Sequence, residues 1–230
     1  MAFNRLVDAD LDKENPRTAK RHLPSGLLSK RQVLGFLILN TMAFVIATYF
    51  VNRLAFALSL PTLMAVCGYS LTKRFTYLSH FFLGLAIGIS PVGAWIAVQG
   101  GFGWEPIALA AALMLWIVGF DIIYATQDHE FDRVRGLYSI VVRFGVPGAL
   151  RISQFAHLAM WLILLGLGWF GGLGLAYQIS LAAVAILLLY LHIFRSSSSL
   201  DSLNQDFFLA NIAISLCLLV GIGFSVLTKN

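Results

Sequence analysis

The sequence predicts an all-α fold, a polytopic bundle of membrane-crossing helices, and three observations predict it. First, 59% of the 230 residues are hydrophobic, 12% are charged and the mean hydropathy is +0.81, well beyond the apolar content of ordinary soluble domains. Second, the apolar residues gather into seven runs long enough to span a hydrocarbon core, at 33–49, 54–71, 81–98, 106–124, 158–175, 179–193 and 207–227. These runs mostly lack the polar face that a soluble helix of that length presents. Third, the basic residues segregate. With the acidic segments placed on the cytoplasmic side and the spans alternated, only Arg53 and Lys229 fall outside. The other 14 of the 16 Lys and Arg residues fall inside, in keeping with the positive-inside rule. The pI of 9.4 therefore records topology. No basic helix interleaved with aromatics marks a nucleic-acid surface, and no nucleic-acid partner is expected. Cys67 and Cys217 lie inside apolar spans without metal-ligand spacing and read as packing residues.

Taken in order, the chain opens on Asn4-Arg5-Leu6-Val7-Asp8-Ala9-Asp10-Leu11-Asp12. Asp8 and Asp12 are four apart, on one helix face a turn from each other. The pattern polar-x3-Asp-x3-Asp returns as Tyr124, Asp128 and Asp132, every position offset by 120 residues (124 − 4, 128 − 8, 132 − 12). Two copies in register, each at the end of an apolar segment, mark an internal repeat. The second copy has a full spanning helix in front of it. The first has only Met1-Ala2-Phe3 and no signal-peptide pattern, so it reads as the end of a truncated helix, with further residues expected upstream of Met1.

Residues 14–30 read as a polar loop broken by Pro16, Pro24 and Gly26, with Ser29 placed to cap the next helix. Two readings of its basic residues stay open: anchorage at the membrane surface, or an arginine, with Arg21 the candidate, reaching back over the carboxylates to an anion. Spans 33–49 and 54–71 form a hairpin about Asn52-Arg53. The second delivers Lys73 and Arg74 to the acidic side. There they either snorkel to the interface or contact phosphate, Arg as a planar fork and Lys as a point charge.

Span 81–98 carries Gly84, Gly88 and Gly93 with Pro91. Small residues let membrane helices approach closely; the alternative is that they widen a lumen for an apolar substrate. Span 106–124 runs into the second acidic motif and carries Asp121 seven residues before Asp128, roughly 10 Å deeper at about 1.5 Å per residue. Residues 136–145 read as a cytoplasmic connection with a short amphipathic element. The last three spans read as scaffold. His157 and His192 are lone histidines with packing or interface roles, and the polar loop at 195–199, with Asp201 and Asp206, offers no site.

Carboxylates stacked at the mouth of a membrane helix repel one another and persist when a cation sits between them. Four to six at one face suit a hard divalent ion. Mg2+ takes oxygen ligands, keeps several waters and bridges to phosphate oxygens. Asn4 and Tyr124 add an amide and a phenol able to hydrogen-bond an anion or a metal-bound water, and Lys and Arg neutralise phosphate directly. An anionic head that needs magnesium, on a body that belongs in a glycine-lined apolar cavity, describes a polyprenyl diphosphate. Metal and basic groups would stabilise the departing diphosphate, and apolar walls would shield the allylic cation until an acceptor attacks.

At these residues the sequence resembles the UbiA-type membrane prenyltransferases. Asn4, Asp8 and Asp12 match the family's N-x3-D-x3-D, and Tyr124, Ala125, Asp128 and Asp132 match its Y-A-x2-D-x3-D. The loop from Arg17-Thr18 through Arg21 to Leu23-Pro24-Ser25-Gly26 looks like R-T-x2-R-P-L-P-S-G, with His22 in place of proline. Tyr69 to Arg74, then Ser79-His80 and Gly84, is similar to the 4-hydroxybenzoate polyprenyltransferase-like branch, as is Gln127-Asp128 to Phe131-Asp132 with Gly136-Leu137. Val141 stands where that branch often has proline.

The resemblance implies one domain over residues 1–230, in a family whose fold has nine spans, of which seven and the end of another are present. It implies Mg2+ held by Asp8, Asp12, Asp128 and Asp132 through the diphosphate. Lys73 and Arg74 would contact the diphosphate or orient an aromatic carboxylate, with Asn4, Arg21 and Tyr124 as further binding groups and Asp121 on the acceptor side. The implied reaction is prenylation of an aromatic acid, 4-hydroxybenzoate or a relative, in ubiquinone or menaquinone biosynthesis. The implied setting is the bacterial inner membrane, with the active face cytoplasmic. Two other classes also place acidic residues on membrane helices. CDP-alcohol phosphotransferases require D-G-x2-A-R, which is absent. A cation-coupled transporter predicts acids near the bilayer midplane. A truncated, inactive relative shares the family and differs only in activity.

Overall fold

The computed structural model describes residues 1–194 and 200–228. The stretch 195–199, with Arg195 expected inside, and Lys229, expected outside, lie outside the described residues. Among those described, every regular element is helical, and seven helical segments are long and apolar enough to cross a membrane. They are Lys30–Val51, Arg53–Thr72, Ser79–Gln99, Trp104–Val134, Ile140–Phe170, Leu175–Ile193 and Gln205–Leu227. The all-α bundle with seven full spans is the one the composition predicts.

Two short helices, α1 (Ala2–Val7) and α2 (Ala9–Glu14), carry the first acidic motif. The polar loop that follows ends in a capping box. Gln32 N–H donates to Ser29 Oγ (3.2 Å) and Ser29 N–H to Gln32 Oε1 (2.9 Å), which satisfies two donors at the start of α3 (Lys30–Val51). Asn52 then opens α4 (Arg53–Thr72), accepting from Ala55 N–H at 2.8 Å while its amide donates to Ile96 O at 2.8 Å. That hairpin is the predicted one.

The third span is two helices, α5 (Ser79–Gly88) and α6 (Ser90–Gln99), because Pro91 cannot donate into a continuing ladder. α7 (Trp104–Ala125) is the central strut, and a single 3-10 turn (Thr126–Asp128) joins it to α8 (His129–Val134). α9 (Ile140–Phe170), α10 (Leu175–Leu189) and α11 (Leu200–Leu227) complete the bundle.

The fifth span is where the sequence reading needs correction. Expected at 158–175 after a connection at 136–145, the helix starts at Ile140 and stops at Phe170. Polar residues from Arg143 to His157 lower the local hydropathy, yet Ser153 and His157 find partners inside the bundle. Ser153 Oγ donates to Gly119 O at 2.8 Å, and His157 Nδ1 lies 2.8 Å from His192 Nε2. The two histidines read as lone are therefore a pair, with the ring of Phe207 stacked on His157. The expected connection is present as a non-helical stretch at 136–139 followed by a short helical piece from Ile140 to a kink at Gly145, with φ 67 just before Pro147. The sixth span likewise begins at Leu175 rather than 179.

Burial runs inside out relative to a soluble protein. Phe36, Leu39, Phe50, Trp169, Phe170, Leu219 and Val220 are exposed, a girdle that only lipid covers without penalty. The cores lie between helices. Val118 and Ile122 of α7 pack on Val141, Ala149 and Ala156 of α9. Met160, Leu164, Tyr177, Leu181, Val184 and Ile214 join α9, α10 and α11. Gly84 and Gly88 of α5 lie against α7 so closely that an added Cβ would stand 2.7 Å from Met114 O and 2.9 Å from Ala110 O. Both are packing glycines; Gly93 has open space around it. This arrangement brings the ends of α1, α4 and α7 and the starts of α5 and α9 around one cavity.

Candidate functional site

The two acidic motifs line a cavity of about 440 Å³ at one end of the bundle. Asn4, Asp8 and Asp12 contribute one wall, Tyr124, Asp128 and Asp132 another. The repeat seen in the sequence is also a repeat of backbone shape. Neither motif is a continuous helix: each breaks at its first aspartate, with Asp8 at φ −94, ψ 6 and Asp128 at φ −99, ψ 3. Both sit in the sparsely allowed bridge region that active-site residues often occupy. The expectation of two carboxylates on one unbroken helix face is thus modified in the same way in both copies.

Cations from two other segments reach these carboxylates. Asp8 is 3% exposed, a burial that a carboxylate tolerates only when it is paired. Lys73 Nζ lies 2.8 Å from its Oδ2 and Arg74 Nη2 3.4 Å from its Oδ1, while Asn4 Nδ2 donates to Oδ2 at 2.9 Å. Arg74 also donates to Val7 O at 2.9 Å; it braces the first motif without lining the cavity, whereas Lys73 lines it. Arg21 Nη1 donates to both oxygens of Asp12, at 2.7 and 2.9 Å.

The loop after α2 is a strap between the motifs. Thr18 Oγ1 donates to Asp12 O at 2.9 Å, on the first-motif side. On the other, Asn15 Nδ2 and Arg17 Nε each donate to Asp128 Oδ1 at 2.9 Å, and Arg17 Nη2 pairs with Asp128 Oδ2. The hydrogen bond to Asp128 pushes the Arg17 guanidinium above its ordinary pKa. Glu14 and Arg135 form a further ion pair from the end of α2 to the end of α8. Arg17 and Arg21 of this loop thus pair with the motif carboxylates themselves.

The sequence profile of the UbiA prenyltransferase family matches residues 1–212. This chain belongs to the UbiA prenyltransferase family. It is 35% identical over 189 residues to the 4-hydroxybenzoate octaprenyltransferase of Methylococcus capsulatus, covering 80% of this chain and 62% of that protein. It is 34% identical over 231 residues to the 4-hydroxybenzoate octaprenyltransferase of Xanthomonas campestris pv. campestris strain B100, covering 97% of this chain and 74% of that one. The chain thus spans less than two thirds of the length of the Methylococcus protein. Among solved structures, the apo structure of a UbiA homolog from Aeropyrum pernix K1 superposes with a TM-score of 0.88 at 30% identity, covering 98% of this chain and 84% of that one.

Within this UbiA fold, the predicted site residues Asn4, Asp8, Asp12, Arg21, Lys73, Asp121, Tyr124, Asp128 and Asp132 all line one cavity. Arg74 is the exception, held behind Asp8. Sequence reasoning missed three participants. Asn15 and Arg17 lie in the loop where only Arg21 was singled out. His80 puts its Nδ1 2.6 Å from Asp121 Oδ2, and its sole sequence signal was a place in the family-like stretch Ser79-His80. Asp132 stands apart from the other motif aspartates: no cation or hydrogen-bond donor contacts its carboxylate among the described residues, and Asp128 lies four residues away on the same wall. An uncompensated carboxylate beside another is a place for an added cation. Among the described residues no three His, Cys, Asp or Glu side chains converge as a cage. That donor set fits Mg2+, which is held by one or two carboxylates and completed by phosphate oxygens and water.

Proposed function

We propose that this chain is a membrane aromatic prenyltransferase. It moves a polyprenyl group from a prenyl diphosphate to 4-hydroxybenzoate or a related aromatic acid, as a single domain over residues 1–230. The observation that carries this reading is the opposed pair of acidic motifs interleaved with Lys73, Arg17 and Arg21 around one cavity at the end of an apolar bundle. A diphosphate needs that mixture of cations and metal-ligating carboxylates. A prenyl chain needs the apolar helices beneath.

Asp8, Asp12, Asp128 and Asp132 would hold Mg2+ through the diphosphate. The chemistry Mg2+ supplies when bound is neutralisation of charge on the leaving diphosphate. Lys73 and Arg21 contact the phosphate oxygens, Asn4 and Tyr124 hydrogen-bond them, and Arg74 keeps Asp8 and Lys73 in place. The cations now paired with Asp8, Asp12 and Asp128 are within reach of an arriving diphosphate, so binding exchanges carboxylate partners for phosphate partners. Asp121, deeper on α7, faces the acceptor. The relatives' names point to 4-hydroxybenzoate as that acceptor and to quinone biosynthesis as the setting. The clustering of basic residues at the acidic end supports a cytoplasmic active face, in the inner membrane of a bacterium. Acids gathered at one end of the bundle are not the midplane sites that a cation-coupled transporter uses.

The test is product formation. Membranes carrying this chain are incubated with radiolabelled prenyl diphosphate and 4-hydroxybenzoate, and the extract is resolved for prenylated acid. Label appears in the acid with Mg2+ present and not with a chelator. No labelled product with 4-hydroxybenzoate or any of several other aromatic acids rules the reading out.

A further inference from the structure

His80 is the most deeply buried ionisable side chain on the cavity wall that the diphosphate chemistry leaves unused. Its side chain is 4% exposed, against 34% for its partner Asp121. A carboxylate can only accept, so the 2.6 Å contact is His80 Nδ1–H donating to Asp121 Oδ2. Asp121 makes no other side-chain hydrogen bond among the described residues, and both it and His80 line the cavity. His80 Nε2 has no partner. A buried imidazole held by a single bond, to a half-open carboxylate, is an arrangement that fixes the carboxylate. Packing alone does not require it.

The pair's position fits a separate task. Asp121 lies seven residues before Asp128 on the strut that carries the second motif, roughly 10 Å deeper. It is therefore beyond the diphosphate end, toward the apolar interior where the prenyl carbon and the acceptor must meet. Prenylation of an aromatic ring must dispose of a proton. The allylic C–O bond breaks with its pair going to the diphosphate, a ring π pair forms the new C–C bond, and the ring carbon then sheds its hydrogen as H+.

Resting on the prenyltransferase reading above, we propose that Asp121 takes this proton and that His80 is the positioning residue that holds Asp121 in place for it. The donated Nδ1–H fixes the rotamer of Asp121 and engages Oδ2. Oδ1 is left as the base.

The experiment compares wild type, His80→Leu, His80→Asn, Asp121→Asn and the double variant His80→Leu/Asp121→Asn. In membranes, kcat for transfer to 4-hydroxybenzoate and KM for prenyl diphosphate are measured separately. Asn places an amide N–H where imidazole Nδ1 stands, so it keeps the donor; Leu fills the space without one. His80→Leu is expected to lower kcat roughly 100-fold, within the range of general-base effects, with KM for prenyl diphosphate unchanged. His80→Asn restores most of the rate, and the double variant is no slower than Asp121→Asn alone. If His80→Leu does not accumulate, the Asn variant and the Asp121→Asn comparison still decide. An Asn variant with wild-type kcat beside a slow Asp121→Asn supports the pair, and an Asn variant as slow as an empty-vector control overturns it. Equal kcat in wild type and His80→Leu also overturns the pair while leaving the prenyltransferase reading intact. A wild type that transfers to no aromatic acid overturns both.

Discussion

Replacing Gly84 by alanine tests whether the close approach of α5 and α7 holds the cavity together. The added Cβ would stand 2.7 Å from Met114 O and 2.8 Å from Val118 Cγ2, about 0.7 Å or more inside ordinary contact distance. Met114 O is backbone in the middle of α7 and cannot rotate away, so the helices must separate. Overpacking of this size costs about 1–3 kcal/mol; at about 2 kcal/mol, a chain of this length loses roughly 4–8 °C in melting temperature. Because α5 carries His80 one turn before Gly84 and α7 carries Asp121, the same separation lengthens the 2.6 Å contact between them and slows transfer. The assay is thermal melting in detergent micelles followed by tryptophan fluorescence, with the transfer rate measured in parallel. Gly93→Ala on α6 is the control: nothing lies within 4 Å of its Cβ, and alanine there gains helix propensity. A Gly84→Ala protein that melts with wild type, or a Gly93→Ala protein that falls as far, refutes the packing argument.

Three further outcomes follow from the same geometry. Lys73→Met removes a point charge 2.8 Å from Asp8 and should weaken prenyl diphosphate binding roughly 10–100-fold, since a hydrogen bond to a charged group contributes about 1.5–3 kcal/mol; equilibrium binding with a labelled diphosphate reads it. Arg17→Gln frees Asp128 from a partly exposed ion pair, so Mg2+ alone should bind about 2–5-fold tighter in a calorimetric titration without diphosphate. Weaker binding there means that Arg17 does not compete with the metal. Chelation should abolish transfer and leave the melting curve in place, because Asp8, Asp12 and Asp128 keep their Lys and Arg partners without metal.

Much of this was legible in the sequence because membrane spans and paired motifs are written locally. The apolar runs had to be helices, since lipid offers no partner to an unpaired peptide group, and the 120-residue offset survived as matching backbone angles at Asp8 and Asp128. What escaped was decided by long-range contact. Ser153 and His157 look too polar for a span until Gly119 and His192 are seen to partner Ser153 Oγ and His157 Nδ1. Arg17 is one of several loop cations until it meets Asp128, 111 residues away. Nothing near His80 announces Asp121, 41 residues on. Hydropathy also averages over polar stretches, so the span was read from 158 although the helix runs unbroken from just after the kink at Gly145.

The central claim is that the two motifs act on one diphosphate, and Asp8→Asn and Asp128→Asn test it most directly. Each is assayed alone for Mg2+-dependent transfer of labelled prenyl to 4-hydroxybenzoate, at equal amounts of folded protein. Loss of roughly 100-fold or more in both, with either motif unable to replace the other, is the predicted result. Full activity in either variant would contradict the shared site.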